Sequence, residues 1–269
     1  MQRKREFFGC VALIRHPLSK IHVLLKKEEL DRERLAETTV IVLDVLFATS
    51  TIVAVLEHGA REVIPTVNGA AAQRIAATRP AGSYVLAGEI DAQTLPGFAH
   101  PTPLALLRED VRGRTVIYST TNGTVALHKA ATAAHVYAAA LLNARAVVAH
   151  VNGTHPDETV LIVCSGSADN FNLEDFYAAG HLVSLFERHH PGHEFSDAAI
   201  AARLLAERHD GRECLRAARV GRMMEGHGLT DEVDYAAQSD IFDVVPKFED
   251  GRLRPVPPAP ASGPASSPR

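Results

Sequence analysis

Several short stretches of this chain carry side chains that could do chemistry together. Ser119 to Thr124 reads STTNGT at the end of an apolar run, with hydroxyls on Thr120, Thr121 and Thr124, an amide on Asn122 and a glycine at Gly123. Asn and Gly both tolerate a left-handed backbone, so the stretch can turn sharply from a strand into a helix. Backbone N–H groups and hydroxyls at a helix N-terminus make a natural seat for an anionic group. The plainer reading is an N-cap followed by an Asn-Gly turn.

Carboxylates recur at similar places. Asp44 follows VIVL and precedes FATSTIVAVL, which reads as a loop running into a helix that contains Ser50 and Thr51. An Asp on a buried strand end is costly unless it is paired, hydrogen-bonded or bound to a metal, although it could also cap that helix. Glu89 follows SYVLAG, where Gly88 lets the backbone pack closely. Asp44 and Glu89 together offer hard oxygen ligands of the kind Mg²⁺ takes alongside waters and substrate oxygens. In CSGSADNFNLEDFYAAG, Ser165 and Ser167 leave a strand, and Glu174 and Asp175 open a helix, where acids ordinarily complement the helix dipole. Asn143, after YAAALL, could cap the next helix or reach into the same crevice.

The elements that must position these residues are legible as β-branched runs. Thr39 to Val45, Arg114 to Thr120 and Thr159 to Gly166 read as strands covered on both faces. Weaker strand candidates lie near Ile21, after Glu62, before Glu89 and after His135. Between them STIVAVLEHGA, NGAAAQRIAAT, GTVALHKAATA and NARAVVAHVN have helical spacing, several with Gly or Asn at the C-terminal cap. This alternation predicts an α/β fold, a three-layer α/β/α arrangement with a mostly parallel or mixed sheet. Ligands of such folds bind beyond the carboxyl ends of the strands, where Asp44, Glu89, STTNGT and CSGS all fall. Residues 1–20 read as an N-terminal extension, 21–251 as the α/β domain, and the Pro/Ala/Ser-rich 252–269 as a disordered tail.

Bulk properties narrow the classes. The chain has 269 residues, 46% of them hydrophobic, and a net charge of -4, so it has no basic surplus for nucleic acid. No apolar run approaches the length of a membrane span, and the first residues lack a signal-peptide core, which predicts a cytoplasmic protein without membrane attachment. Cys10, Cys164 and Cys214 are too scattered for a disulfide framework or a zinc site, and Cys164 reads as a buried core thiol. His189, His190 and His193 lie in a Pro/Gly loop and read as surface residues.

From Val40 to Pro246 the chain resembles the 2-phosphosulfolactate phosphatase family. The resemblance rests on DVLFATSTIVAVLEHGAREVIP from Asp44, LAGE up to Glu89, STTNGTVAL, LLNARAV, VCSGSADNFNLEDFYAAG and DEVDYAAQSDIFDVVP, all in the same order. It implies a three-layer α/β/α enzyme, Mg²⁺ as cofactor, and a metal set of Asp44 with Glu89 or Asp175. It also implies catalytic roles for Asp44, Thr120, Thr121, Asn122 and Thr124. Substrate contacts would come from Phe47, Ser50, Thr51, Gly123, Val125, Asn143, Ser165 and Ser167. A small-molecule substrate and a homodimer are expected.

The pattern departs from the family at three places. Phe47 and Val125 stand where members usually carry arginine, and GFAHPTPL from Gly97 replaces GFDLGNSP. An anionic substrate needs cationic partners, for which arginine offers forked, always-charged donors, so Arg145 or Arg112 would have to compensate. The leading reading is a metal-dependent phosphatase-like hydrolase acting on a small acid or phosphoester. A relative performing cyclisation, hydrolysis or elimination on a less anionic carbonyl substrate in specialised metabolism is the first alternative. A non-catalytic binding protein is the third reading.

Overall fold

Eleven strands form one mixed sheet. In chain order they are β1 (Lys20–Leu24), β2 (Thr38–Leu43), β3 (Glu62–Thr66), β4 (Tyr84–Ile90), β5 (Gln93–Thr94), β6 (Thr115–Ser119), β7 (His135–Ala139), β8 (Thr159–Cys164), β9 (Glu194–Phe195), β10 (Val245–Glu249) and β11 (Arg252–Val256). The helices are α1 (Ala48–Glu57), α2 (Gly69–Ala76), α3 (Pro103–Leu107), α4 (Gly123–Ala130), α5 (Ala144–Thr154), α6 (Leu173–His189), α7 (Asp197–Arg208), α8 (Gly211–Ala217), α9 (Arg219–Gly226) and α10 (Thr230–Ala236). The computed structural model describes residues 19–90 and 92–256, so Cys10 and nearly all of the expected N-terminal extension lie outside the described residues.

Alternation along β2 shows why the sheet is the middle layer. Val40 and Val42 pack with Ile52, Val55 and Leu127 from α1 and α4. Ile41 and Leu43 pack on the other face with Val147, Leu182 and Phe186 from α5 and α6. A strand apolar at every position fits a sheet covered on both sides. The expected three-layer α/β/α fold is present.

The sheet order is β5-β4-β6-β3-β11-β10-β7-β2-β8-β1-β9. β7, β2, β8, β1 and β9 are mutually parallel, and so are β3, β6 and β4. The β10–β11 hairpin stitches these two sets together, pairing antiparallel with β7 through Lys247 and Tyr137 and with β3 through Leu253 and Val63. The two parallel sets therefore run in opposite senses. Right-handed twist of about 20–25° per neighbour turns the strand axis by about 100–125° over the five steps from β2 to β6. That rotation swings the carboxyl ends of the two sets towards a common region.

The hairpin corrects the expected domain boundary. Arg252–Val256 is a strand in the middle of the sheet, and of the expected tail only residues 257–269 lie outside the described residues. Its sequence RLRPV reads as a tail because its charges are spent internally. Arg252 and Arg254 both bond Glu62, which is 3% exposed and also accepts from Arg79 and Thr115. Leu253 is fully buried at the seam with β3. Leu253→Ala is therefore expected to lower stability by about 2–5 kcal/mol in urea unfolding, as for a core leucine. A change too small to measure would contradict a central place for β11.

Candidate active site

The carboxyl ends of β2, β4, β6 and β8 deliver their polar residues to one region. Gly123, the first residue of α4, makes the close approach possible. A Cβ added there would lie 2.5 Å from the Ala48 Cβ and 2.6 Å from Asp44 Oδ2. Asp44 is 6% exposed, and its backbone closes the turn into α1, since Thr49 N–H donates to its carbonyl at 2.9 Å and its own N–H donates to Thr49 Oγ1 at 3.0 Å. Its carboxylate therefore does not cap α1 and instead meets the Gly123 N–H at the start of α4.

The STTNGT loop spends its donors on the protein's own acids. The Thr121 N–H and hydroxyl donate to Glu89 Oε1 at 2.7 and 3.0 Å, and the Ala92 N–H donates to Glu89 Oε2 at 2.7 Å. Thr120 and Thr124 bond each other across the turn, the Thr124 hydroxyl donating to the Thr120 carbonyl at 2.7 Å. Lys27 Nζ donates to Asn122 Oδ1 and to the Ser165 carbonyl, both at 3.1 Å. Gly88 permits β4 to lie close to β6, for a Cβ there would come within 2.5 Å of the Ser119 carbonyl oxygen.

Asp175 holds the other side. Its Oδ1 accepts from Val45 N–H at 2.8 Å, and its Oδ2 accepts from the Ser165 N–H and hydroxyl at 3.1 and 3.2 Å and from Gly166 N–H at 3.4 Å. One fully buried carboxylate thereby ties the loop after β2 to the loop after β8. Its neighbour Glu174 is 1% exposed, and neither of its carboxylate oxygens meets a partner of good geometry, its own N–H being the donor at hand. Asn172 Oδ1 is also buried without a partner.

Burial pushes all three acids upward. Asp44 rises to about 8 through desolvation and then the like charges of Asp175 and Glu89, opposed by the Gly123 N–H and Lys27. Desolvation likewise raises Glu174, with Asp44 adding to it and Arg219 opposing. Asp175 rises through burial and the charge of Glu174, against its hydrogen bonds. Like-charged carboxylates in one low-dielectric region resist ionising together.

A cavity of about 640 Å³ opens over this floor. Asp44, Glu89, Thr120, Thr121, Asn122, Ser167 and Asn172 supply its polar lining. Its apolar lining comes from Leu46 and Phe47 with Val220, Met223, Met224 and Leu229 from α9 and the turn after it. Arg219, at the start of α9, lines the cavity and bonds Ser167 Oγ.

Several residues expected at the site lie elsewhere. Asn143 does not line the cavity. It is fully buried, accepts from Ala140 N–H and donates to the Val244 carbonyl, both at 2.9 Å, so it locks the end of β7 to the approach to β10. Ser50 and Thr51 turn inward to the Val45 and Pro101 carbonyls at 2.8 Å. Val125 is half-buried on α4 outside the cavity lining, and Ser165 and Thr124 stand behind it. Arg145 bonds Asp240, and Arg112 packs against Gly59, so neither replaces a cation in the cavity. The sequence reading missed Lys27, Arg219, Asn172, His100 and His227, and it took Glu174 for a dipole partner. The buried Glu-Asp pair is the one available signal, since first-turn acids that serve the dipole are usually solvated.

A three-layer fold with acids, hydroxyls and an arginine gathered at strand carboxyl ends defines an α/β enzyme. The chain matches the 2-phosphosulpholactate phosphatase family over residues 24–251 and belongs to that family. It is 32% identical over 231 residues to a probable 2-phosphosulfolactate phosphatase of Clostridium novyi, covering 85% of this chain and 97% of that protein. It is 35% identical over 224 residues to a protein of the same description from Symbiobacterium thermophilum, covering 82% and 95% of the two chains. With one from Deinococcus radiodurans the identity is 38% over 213 residues, covering 78% and 88%.

The raised acids make stability depend on pH with a defined sign. The unfolded chain releases these protons from about pH 4, whereas the folded chain keeps them to higher pH. In chelator-treated protein the thermal midpoint is expected to fall as pH rises towards 8, where Asp44 ionises. Asp44→Asn should reduce that fall. A midpoint that climbs over this range, equally in both proteins, would contradict the burial of neutral acids here.

Proposed function

We propose that the chain is a metal-dependent phosphatase acting on a small phosphorylated acid. The observation that carries this reading is a set of buried oxygen acceptors lacking donors beside a strand-end carboxylate. Glu174 Oε1 and Oε2 and Asn172 Oδ1 are unpartnered, and Asp44 faces the cavity next to them in charge interaction with Glu174. Buried acceptors without hydrogens are the surroundings a hard cation requires, and all are oxygens, the ligand type Mg²⁺ prefers. Asp44 and Glu89 would hold such an ion, with Glu174 and Asn172 oxygens behind them. When bound it would polarise the phosphoryl oxygen and orient the attacking water.

The protein's own residues do the rest. In hydrolysis the phosphorus–oxygen bond to the substrate alcohol breaks as one to a water oxygen forms. Arg219 offers a charged donor to the phosphoryl or carboxylate oxygens from the rim. Thr121 and Gly123 act as positioning residues, fixing Glu89 and Asp44 through their N–H groups. Asp175 does not reach a ligand in this scheme, because four hydrogen bonds occupy its oxygens. Phe47, Met223, Met224 and Leu229 exclude water and seat an uncharged part of the substrate. The names of the relatives make 2-phosphosulfolactate the first substrate to try.

Purified protein with Mg²⁺ is expected to release inorganic phosphate from 2-phosphosulfolactate or a related small phosphoacid. Asp44→Asn should lower kcat by about two to three orders of magnitude, the scale of losing one preorganised charge-stabilising group. Arg219→Ala should act mainly on KM, by about tenfold, equivalent to about 1.4 kcal/mol. Folded protein that releases no phosphate from a broad phosphoester panel, with any divalent cation, would overturn the proposal.

A further inference from the structure

The opposite end of the sheet carries a second group of metal-type side chains. We propose that His135, His155 and Glu158 form a site for one zinc-type transition-metal ion, separate from the candidate active site. His135 opens β7, His155 ends α5, and Glu158 immediately precedes β8. Thr39, beside them on β2, lies five residues before Asp44, which follows that strand, about 17 Å away at the rise of an extended chain.

The ligand atoms already stand at coordination spacing. His135 Nε2 is 3.3 Å and His155 Nδ1 3.5 Å from the same oxygen, Glu158 Oε1, and each of the three residues offers a ligand atom within 4.8 Å of the others. Ligands about 2.0–2.1 Å from a tetrahedral ion are separated by about 3.3–3.4 Å, which is this spacing. Two imidazoles and one carboxylate are a donor set for zinc or cobalt, with a fourth position open to water.

His155 and Glu158 have the outer contacts of a built site, while the far nitrogen of His135, Nδ1, is buried without a partner. The far nitrogen of His155, Nε2, is 3.0 Å from the Tyr137 hydroxyl, which in turn lies 3.1 Å from His150 Nε2. That chain holds the His155 ring with Nδ1 turned towards Glu158. The second oxygen of Glu158 accepts from the Thr39 hydroxyl at 2.6 Å. Metal-ligating histidines and carboxylates are held in this way by hydrogen bonds from their remote atoms. The His135 and His155 rings are stacked, with centroids 3.6 Å apart and planes 17° from parallel. An ion bound by both rings would require them to splay from this stack. The bound ion would clip the loop between α5 and β8 to the start of β7.

Titration of the chelator-stripped full chain with Co²⁺ tests this. One equivalent should give the intense visible absorption of four-coordinate cobalt, and Zn²⁺ should abolish it by displacement. His155→Gln and Glu158→Gln should each weaken binding by about tenfold or more. Asp44→Asn should leave the absorption unchanged, because oxygen-rich six-coordinate cobalt absorbs only weakly. If a histidine variant fails to fold, Zn²⁺ raising the thermal midpoint of Asp44→Asn protein at one equivalent decides in its place, and no rise there would overturn the site. Wild-type protein showing only the weak six-coordinate spectrum, or folded His155→Gln binding Co²⁺ like wild type, would overturn the site.

Discussion

The carboxyl group of Asp44 sits at the end of a fully buried strand with other acids close by, and much of the surrounding structure exists to hold it there. Removing an ionised carboxylate from water costs several kcal/mol unless charges or donors compensate. Here the donors are backbone groups. The Gly123 N–H meets Asp44, and the amides of Val45, Ser165 and Gly166 meet Asp175. A side chain at position 123 would drive α4 away from α1 and open the site. The arrangement therefore depends on the exact meeting of two loops that belong to oppositely directed halves of the sheet.

That meeting explains the central hairpin. β10 and β11 touch β7 and β3 through single register pairs, which leaves each seam free to twist. Arg252 and Arg254 then neutralise Glu62 inside the seam, so the hairpin is both hydrogen-bonded and charge-balanced. The antiparallel hairpin reverses the halves, and the twist accumulated across it brings the ends of β2 and β6 together. Between them lies a cavity with an acidic floor and an apolar wall, in which Arg219 is the one arginine lining it among the described residues. Phe47 lines that cavity at a position where the family resemblance implies arginine, and the arginine that does line it, Arg219, comes from α9.

Much of this was legible from the chain. β2, β6 and β8 are β-branched and apolar at nearly every position, and polar residues at such strand ends have few reasons to be there besides chemistry. Asp44, Glu89 and Thr120 to Asn122 do meet at the cavity. Asn143 looked alike in sequence, but a buried Asn can equally be consumed by backbone groups, as the Ala140 and Val244 contacts consume this one. β11 was illegible because RLRPV owes its burial to a distant glutamate, and local composition carries no trace of that partner. Lys27 and Arg219 enter from a short turn and a helix remote in sequence, so no spacing could announce them. His135, His155 and Glu158 are joined only by the pairing of β2, β7 and β8.

Carbon-13 NMR titration of aspartate carboxyls in cation-free protein addresses the buried acid most directly. One resonance, absent from Asp44→Asn, should titrate near pH 8 and move far downward when Mg²⁺ is added. An Asp44 resonance titrating in the ordinary range near about pH 4 without any cation would contradict the constraint on which the site is built.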